Sequence, residues 1–247
     1  MQYKAYIFDL DGTLFRGEEV IPEAVATVAE LHRRGAIIRY LTNNSSRTRE
    51  FFVEKLRNMG YPAESDEVYT SSLGTAKYLQ HENVRRVFVL AEQGLNDTLE
   101  EHGITICETD VEAVVVGLCR DFTYDLMNQA MQLIRGGARF VATNPDTTYP
   151  VENHKLIPGS GSIVAAVQAC SETAPFVVGK PNPFLVELVL EEAGLRAEEA
   201  LVVGDRDDTD IESGRRAGCP TFLVLTGVTK EPPAGQWHAH TMHELLG

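Results

Sequence analysis

Cysteine is sparse in this chain, and what there is shows no pattern. Cys107, Cys119, Cys170 and Cys219 are dispersed, with no C-x-x-C pair. That excludes a cysteine zinc site and a disulfide framework, and reads as small buried side chains in a reducing compartment. Long hydrophobic runs are missing too. No stretch approaches the roughly 20 apolar residues of a membrane span. The opening run ends at Asp9, too soon for a secretory leader. A cytoplasmic protein with no membrane partner is the expectation. Positive charge is scarce: 22 Lys and Arg stand against 36 Asp and Glu, a formal net charge of −14 over 247 residues. Such a deficit argues against nucleic-acid partners, whose binding needs clustered cations to displace counterions. Also absent are G-x-x-x-x-G-K-[ST], a G-x-G-x-x-G after the first strand, and G-x-S-x-G. P-loop, dinucleotide and serine-hydrolase chemistry are thereby disfavoured. There is no internal repeat and no low-complexity tract.

What is present is a globular composition, 43% hydrophobic and 23% charged, in which short apolar runs alternate with helical patterns. Strands are predicted at Ala5–Asp9, Ala36–Leu41, Arg86–Leu90, Ala113–Gly117, Arg139–Ala142, Pro175–Val178, Ala200–Gly204 and Thr221–Leu225. Several are apolar almost throughout, as strands buried on both faces of a parallel sheet are. Pro22 opens a helix with Val25, Val28 and Leu31 on one face and Gly35 beyond its end. Arg47–Met59 is a second helix, and Asn182-Pro183 opens a third that Gly194 closes. Strand–helix alternation predicts an α/β fold with a parallel sheet.

The chemistry collects at four predicted strand ends, where open α/β sheets place their ligands. The first strand delivers Asp9 and Asp11 onto a turn, Asp9-Leu10-Asp11-Gly12-Thr13. The second ends in Thr42-Asn43-Asn44-Ser45, neutral donors before a helix that suit either phosphate oxygens or an N-cap. A later strand leads to Gly179-Lys180-Pro181. Another runs into Asp205-Arg206-Asp207-Asp208-Thr209-Asp210. Four acids in six residues repel one another unless a cation sits among them, and carboxylate oxygens without His or Cys favour Mg²⁺ over zinc.

These four sites, in this order, resemble the haloacid dehalogenase-like (HAD) superfamily of aspartate-nucleophile phosphatases. Only 30 residues lie between Asp11 and Thr42, room for a turn and one helix. The interval from Asn43 to Lys180 is far longer than one strand–helix unit needs, so an inserted second α/β unit is expected. The insertion resembles the type IIA (C2a) cap of the NagD-like, p-nitrophenyl phosphatase and phosphoglycolate or pyridoxal phosphate phosphatase group. Matching segments are Asp11-Gly-Thr-Leu-Phe-Arg-Gly17, Thr42-Asn-Asn-Ser45, Ala142-Thr-Asn-Pro-Asp146, Gly179-Lys-Pro-Asn-Pro183 and Gly204-Asp-Arg-x-x-Thr-Asp-Ile211. The resemblance implies a Rossmann-like parallel-sheet core from residues 1–82 and 174–247, and an α/β cap over 83–173.

It further implies Mg²⁺-dependent hydrolysis of a small phosphorylated metabolite. Asp9 would be the nucleophile forming an aspartyl-phosphate, and Asp11 the general acid and base. Thr42, Asn43 and Lys180 would hold the phosphate. Asp9, Asp205 and the backbone carbonyl of Asp11 would hold the metal, with Asp210 behind them. In the cap, Asn144, Asp146 and Ser160 fall where substrate-contacting loops lie in the family, although Gly159-Ser-Gly-Ser162 also reads as a plain helix start. Caps of this type often mediate homo-oligomers. A phosphotransferase or mutase would use the same chemistry with an alcohol acceptor, but the familiar mutases carry a cap in the first interval. A non-catalytic phosphometabolite-binding protein would be expected to have lost Asp9, Asp11 or Asp205, and all three are present. The physiological substrate is not legible. Nor is any contact of Asp207 and Asp208 with metal. His238, His240 and His243 form a cluster better explained by a strand end running into a short helix, with Thr241 and Glu244 as its capping box.

Overall fold

The structure is a computed structural model and describes residues 3–151 and 155–246. The chain divides into two compact units. One takes the described residues up to Thr42, Arg49–Tyr69, and those from Lys180 onward. The other takes Asn43–Thr48 and Thr70–Gly179.

The first unit is built on a six-stranded sheet. Its strands lie in the order His238–Ala239, Thr221–Val224, Ala200–Gly204, Ala5–Asp9, Ile37–Thr42 and Val68–Thr70. The earliest strand is therefore central. Ala5–Asp9 pairs in parallel with Ile37–Thr42 on one side, Asp9 opposite Leu41, and with Ala200–Gly204 on the other, Phe8 opposite Val203. Strand order reverses here, and the carboxyl end of such a strand opens into a crevice.

Both faces of the sheet are covered, which is why its strands show no polar alternation. Tyr6 and Phe8 stack on one face with Leu201 and Val203, against Ala24, Val28 and Leu31 of the helix Pro22–Arg33. Pro22 sits in that helix's first turn, where a missing N–H costs nothing. Ile7, Val202 and Val186 line the opposite face together with Lys180. The helix carrying Val186 is Phe184–Ala193. It starts after Pro183, which is its N-cap residue, and Asn182, one position earlier, accepts the Phe184 N–H at 3.0 Å.

The second unit is a parallel five-stranded sheet in the order Phe176–Val177, Arg139–Ala142, Ala113–Val116, Arg86–Leu90 and Thr105–Ile106. Leu90, Val114, Val116, Phe140 and Ala142 pack against Ala130 and Ile134 of the helix Tyr124–Arg135, and against Ile163, Val164 and Val167 of the helix Ser160–Ser171. A hairpin of Thr148–Val151 with Lys155–Pro158 is appended. This unit is larger than the expected 83–173. The helix Ser71–His81 packs against Gln93–Glu101 within it. The strand before Lys180 pairs with Arg139–Ala142, so that strand belongs here and not to the first sheet. Together these elements make a Rossmann-like α/β core with an inserted α/β unit. Among the described residues, no helix is long and apolar enough to cross a membrane.

Candidate active site

Three carboxylates and one ammonium meet at the carboxyl end of the central strand. Lys180 is 3% exposed, and its Nζ donates to Asp9 Oδ1 at 2.6 Å and lies 2.7 Å from Asp210 Oδ1. Asp9, Asp205 and Asp210 can each present an oxygen within 4.8 Å of the others. Asp205 and Asp210 are 1% and 2% exposed. One positive charge against three negative ones leaves this buried group two charges short of neutrality, a costly arrangement in a low-dielectric setting.

The titration behaviour follows. Burial, joined by repulsion from Asp210, pushes the Asp9 carboxyl well above its usual range, and Lys180 offsets only part of that. Burial and Asp210 push Asp205 up to about 7, against the N–H of Val228 and the charge of Lys180. Burial works against the Lys180 charge, but Asp210 and Asp9 outweigh it and hold the ammonium above its ordinary value.

The oxygens divide by partner. Asp9 Oδ1 is held by Lys180. Both oxygens of Asp210 are taken, Oδ1 by Lys180 and Oδ2 by the Arg206 N–H at 3.0 Å. Asp205 Oδ2 accepts the Val228 N–H at 2.5 Å. Asp9 Oδ2 and Asp205 Oδ1 both accept weakly from the Thr13 hydroxyl, at 3.3 and 3.5 Å. These two weakly engaged oxygens are the pair a divalent cation could take. An all-oxygen set with surplus negative charge fits Mg²⁺. Gly12 makes the closeness possible: its φ is +94°, and a Cβ there would stand 2.5 Å from Asp205 Oδ2.

Asp11 lies outside the carboxylate cluster and keeps solvent access. The surrounding atoms still desolvate it enough to raise its pKa, against the Gly17 N–H and Lys55. Thr42 is buried at the end of the strand beside Asp9.

Asp207 and Asp208 do not join the cluster. Asp208 pairs with Arg206 at 2.9 Å and Asp207 with Arg215 at 3.0 Å. The widened helical turn Asp207–Ile211 carries these two outward while returning Asp210 to the site. The extra acidity of this loop is thus matched by two arginines on the surface. His238 is turned to the Gln236 carbonyl, and Thr241 Oγ1 accepts the His243 N–H where the strand His238–Ala239 leads into the short helix Met242–Leu246. No histidine enters a metal-ligating cluster among the described residues.

The remaining predicted residues belong to the second unit. Asn43 donates to Asp146 Oδ2 at 3.0 Å. Buried Asn144 donates to the Asn43 carbonyl at 2.8 Å and to Ser160 Oγ at 3.2 Å, and accepts the Asp146 N–H at 3.1 Å. Asn144 thus ties Asn43, Asp146 and Ser160 into one loop. The Gly-Ser run is a helix start that also receives this loop: Gly161 N–H donates to the Asp146 carbonyl at 2.8 Å, and a Cβ on Gly161 would come within 2.1 Å of the Pro145 carbonyl.

Thr13 and the Val228 N–H, both on the Asp205 carboxylate, received no role from the sequence. Thr13 had a signal in its place after Asp11-Gly12. Val228 had none, because a backbone donor leaves no residue preference.

Comparison with known proteins accords with this geometry. A family model described as haloacid dehalogenase-like hydrolase matches residues 6–105, and a HAD-hydrolase-like model matches 177–245. A 5′-nucleotidase, YutF, of Bacillus subtilis is 39% identical over 229 residues, covering 92% of this chain and 89% of that one. An acid sugar phosphatase of Staphylococcus aureus is 41% identical over 230 residues, covering 92% and 88%. The structure of NagD from E. coli K-12 superposes with a TM-score of 0.88 at 32% identity, covering 96% of each chain. The chain belongs to the haloacid dehalogenase-like hydrolases and, within them, to the NagD-like type IIA phosphatases.

Proposed function

We propose that this chain hydrolyses phosphate monoesters of small metabolites through an aspartyl-phosphate on Asp9. The carrying observation is the split of the Asp9 carboxylate, with Oδ1 fixed by Lys180 and Oδ2 sharing the Thr13 hydroxyl with Asp205 Oδ1. One oxygen of Asp9 attacks phosphorus in line, and the ester P–O bond breaks. Asp11 gives its proton to the leaving oxygen, which suits a carboxyl whose pKa is raised. Asp11 then takes a proton from water. That water attacks phosphorus, the bond to Asp9 breaks, and inorganic phosphate leaves.

Lys180, Thr42 and Asn43 are assigned to the phosphate oxygens, where charge spreads in the transition state. Asp9 and Asp205, with the Asp11 carbonyl, are assigned to Mg²⁺, and Asp210 to orienting Lys180. When bound, Mg²⁺ supplies the charge that lets these carboxylates stay ionised beside a phosphate dianion. The second unit is assigned the role of a cap over 83–173 and its extensions, excluding water and bulky substrates.

The relatives' names point to nucleoside monophosphates and sugar phosphates as the panel to try first. The test is p-nitrophenyl phosphate turnover with EDTA and with Mg²⁺ restored, together with Asp9→Asn. Loss in EDTA, recovery with Mg²⁺ and no turnover by Asp9→Asn are expected. Metal-independent turnover would overturn the mechanism. Transfer of the phosphoryl group to an added alcohol without release of phosphate would make the protein a phosphotransferase.

A further inference from the structure

The first and last loops of the core are tied together at a residue to which the chemistry above assigns nothing. Thr226 is buried, and its hydroxyl donates to the Gly12 carbonyl at 2.7 Å, across 214 positions of sequence. Its own carbonyl accepts two bonds from Arg16, from Nε at 3.0 Å and Nη2 at 2.6 Å. Gly12 lies between Asp9 and Thr13, and Arg16 lies just beyond them. Thr226 thus holds both sides of the turn that presents the nucleophile.

The residues after Thr226 turn to Asp205. A Cβ on Gly227 would stand 1.9 Å from Asp205 Oδ2, so the backbone lies against the carboxylate. The Val228 N–H donates to that same oxygen, and the Thr229 N–H donates to the Asp205 carbonyl at 3.1 Å. Thr229 Oγ1 accepts the Asp207 N–H at 3.2 Å, which fixes the next residues of the acidic loop. One segment, Thr226–Thr229, therefore sets the Asp205 rotamer and fastens it to the Asp9 turn. Among the described residues, Lys180 Nζ also joins these loops, bridging Asp9 and Asp210, and the Thr13 hydroxyl does so over longer contacts.

We propose that Thr226 is a positioning residue: it sets the spacing between the Asp9 and Asp205 carboxylates and so tunes cation binding, without touching substrate. The inference rests on the reading of this cluster as a Mg²⁺ site. Arg16 acts in the same device from outside, by fixing the carbonyl of Thr226.

The test compares Thr226→Val, Thr226→Ser, Arg16→Met and wild type. Mg²⁺ binding is read by titration calorimetry without substrate, and kcat and KM are read for an aryl phosphate at saturating Mg²⁺. Removing the Thr226 hydroxyl forfeits about one hydrogen bond, so Mg²⁺ affinity is expected to fall about ten-fold. At saturating Mg²⁺ kcat is expected to fall as well, because the Asp9 turn is less well placed, while KM changes less than about two-fold, because the phosphate donors are untouched. Thr226→Ser keeps the hydroxyl and should bind Mg²⁺ as wild type does. Arg16→Met alters an exposed side chain and, if Thr226→Val does not fold, carries the test with a smaller loss of affinity. Wild-type Mg²⁺ affinity in Thr226→Val, or in Arg16→Met should that variant stand alone, would overturn the proposal. So would a Thr226→Ser as impaired as Thr226→Val. Absence of Mg²⁺ binding by the wild type would overturn the site reading itself, and is thereby distinguished from failure of this inference.

Discussion

Lys180 Nζ bonds Asp9 Oδ1 at 2.6 Å across 171 positions of sequence, and at 2.7 Å from Asp210 Oδ1 it is the hinge on which the buried charges balance. Replacing it by Met removes the cation and leaves three carboxylates facing one another. Loss of one such preorganised donor is worth about 100-fold or more in kcat. Breaking a buried pair from one side also destabilises, by about 3 kcal/mol or more. Melting with and without Mg²⁺ should show Lys180→Met gaining more from the metal than wild type does.

Asp9→Asn should be inactive yet at least as stable as wild type when metal-free. The substitution deletes a charge that burial already disfavours, while Lys180 keeps Asp210. A thermal melt in EDTA checks the sign, with an unchanged or raised Tm expected.

Stability against pH should invert with metal. Asp205 is raised from an ordinary carboxylate value to about 7 in the folded protein. Between those limits the folded state holds a proton that the unfolded state has lost. Its contribution is thus complete below the unfolded pKa and disappears as pH rises through about 7. In EDTA, Tm should fall as pH rises from about 4 to about 7, the interval bounded by the two pKa values. Saturating Mg²⁺ favours the ionised carboxylates and should flatten or reverse that slope.

Asp208→Asn should leave both kcat and Mg²⁺ affinity within about two-fold of wild type, because Asp208 serves an exposed pair with Arg206. The same assay on Asp205→Asn should lose the metal. Equal losses in the two variants would place Asp208 in the metal shell.

Asn144→Ala should cost about 1 kcal/mol of stability, since it removes a donor from the buried Ser160 hydroxyl and one of two from the Asn43 carbonyl, which keeps Ser71 Oγ. Asp146→Ala leaves Asn144 in place. If Asp146 contacts substrate, its variant should reorder kcat/KM across a phosphate-ester panel while Tm stays near wild type.

The α/β class and the four strand ends were legible because each rests on a local signal. An apolar run such as Ala5–Phe8 has one reading when it is buried on both faces, and a loop as acidic as Asp205–Asp210 demands a counter-charge. Extents were less legible. The strand Phe176–Val177 has two residues, and its membership of the second sheet is decided by its partner, Arg139–Ala142, far away in sequence. The pieces Phe15–Arg16 and Glu19–Val20 are likewise too short to show a period of two. In the site, side chains with chemistry were found, while the backbone donor of Val228 was silent. Asn144 and Ser160 show a contact that sequence could not foresee: they hydrogen-bond to one another across 16 positions.

The central place of Ala5–Asp9 has a consequence for synthesis. This strand emerges ahead of every other strand in its sheet and gains Ile37–Thr42 soon afterwards. Its second neighbour, Ala200–Gly204, arrives only after the whole of the other unit has been made. Until then one edge of a strand that is apolar up to Asp9 has no partner, the condition that invites aggregation or a chaperone. On the proposed mechanism a nascent chain stopped anywhere before Asp205 is also inert, because it carries Asp9 without its partner carboxylate, so activity doubles as a check that synthesis reached the acidic loop.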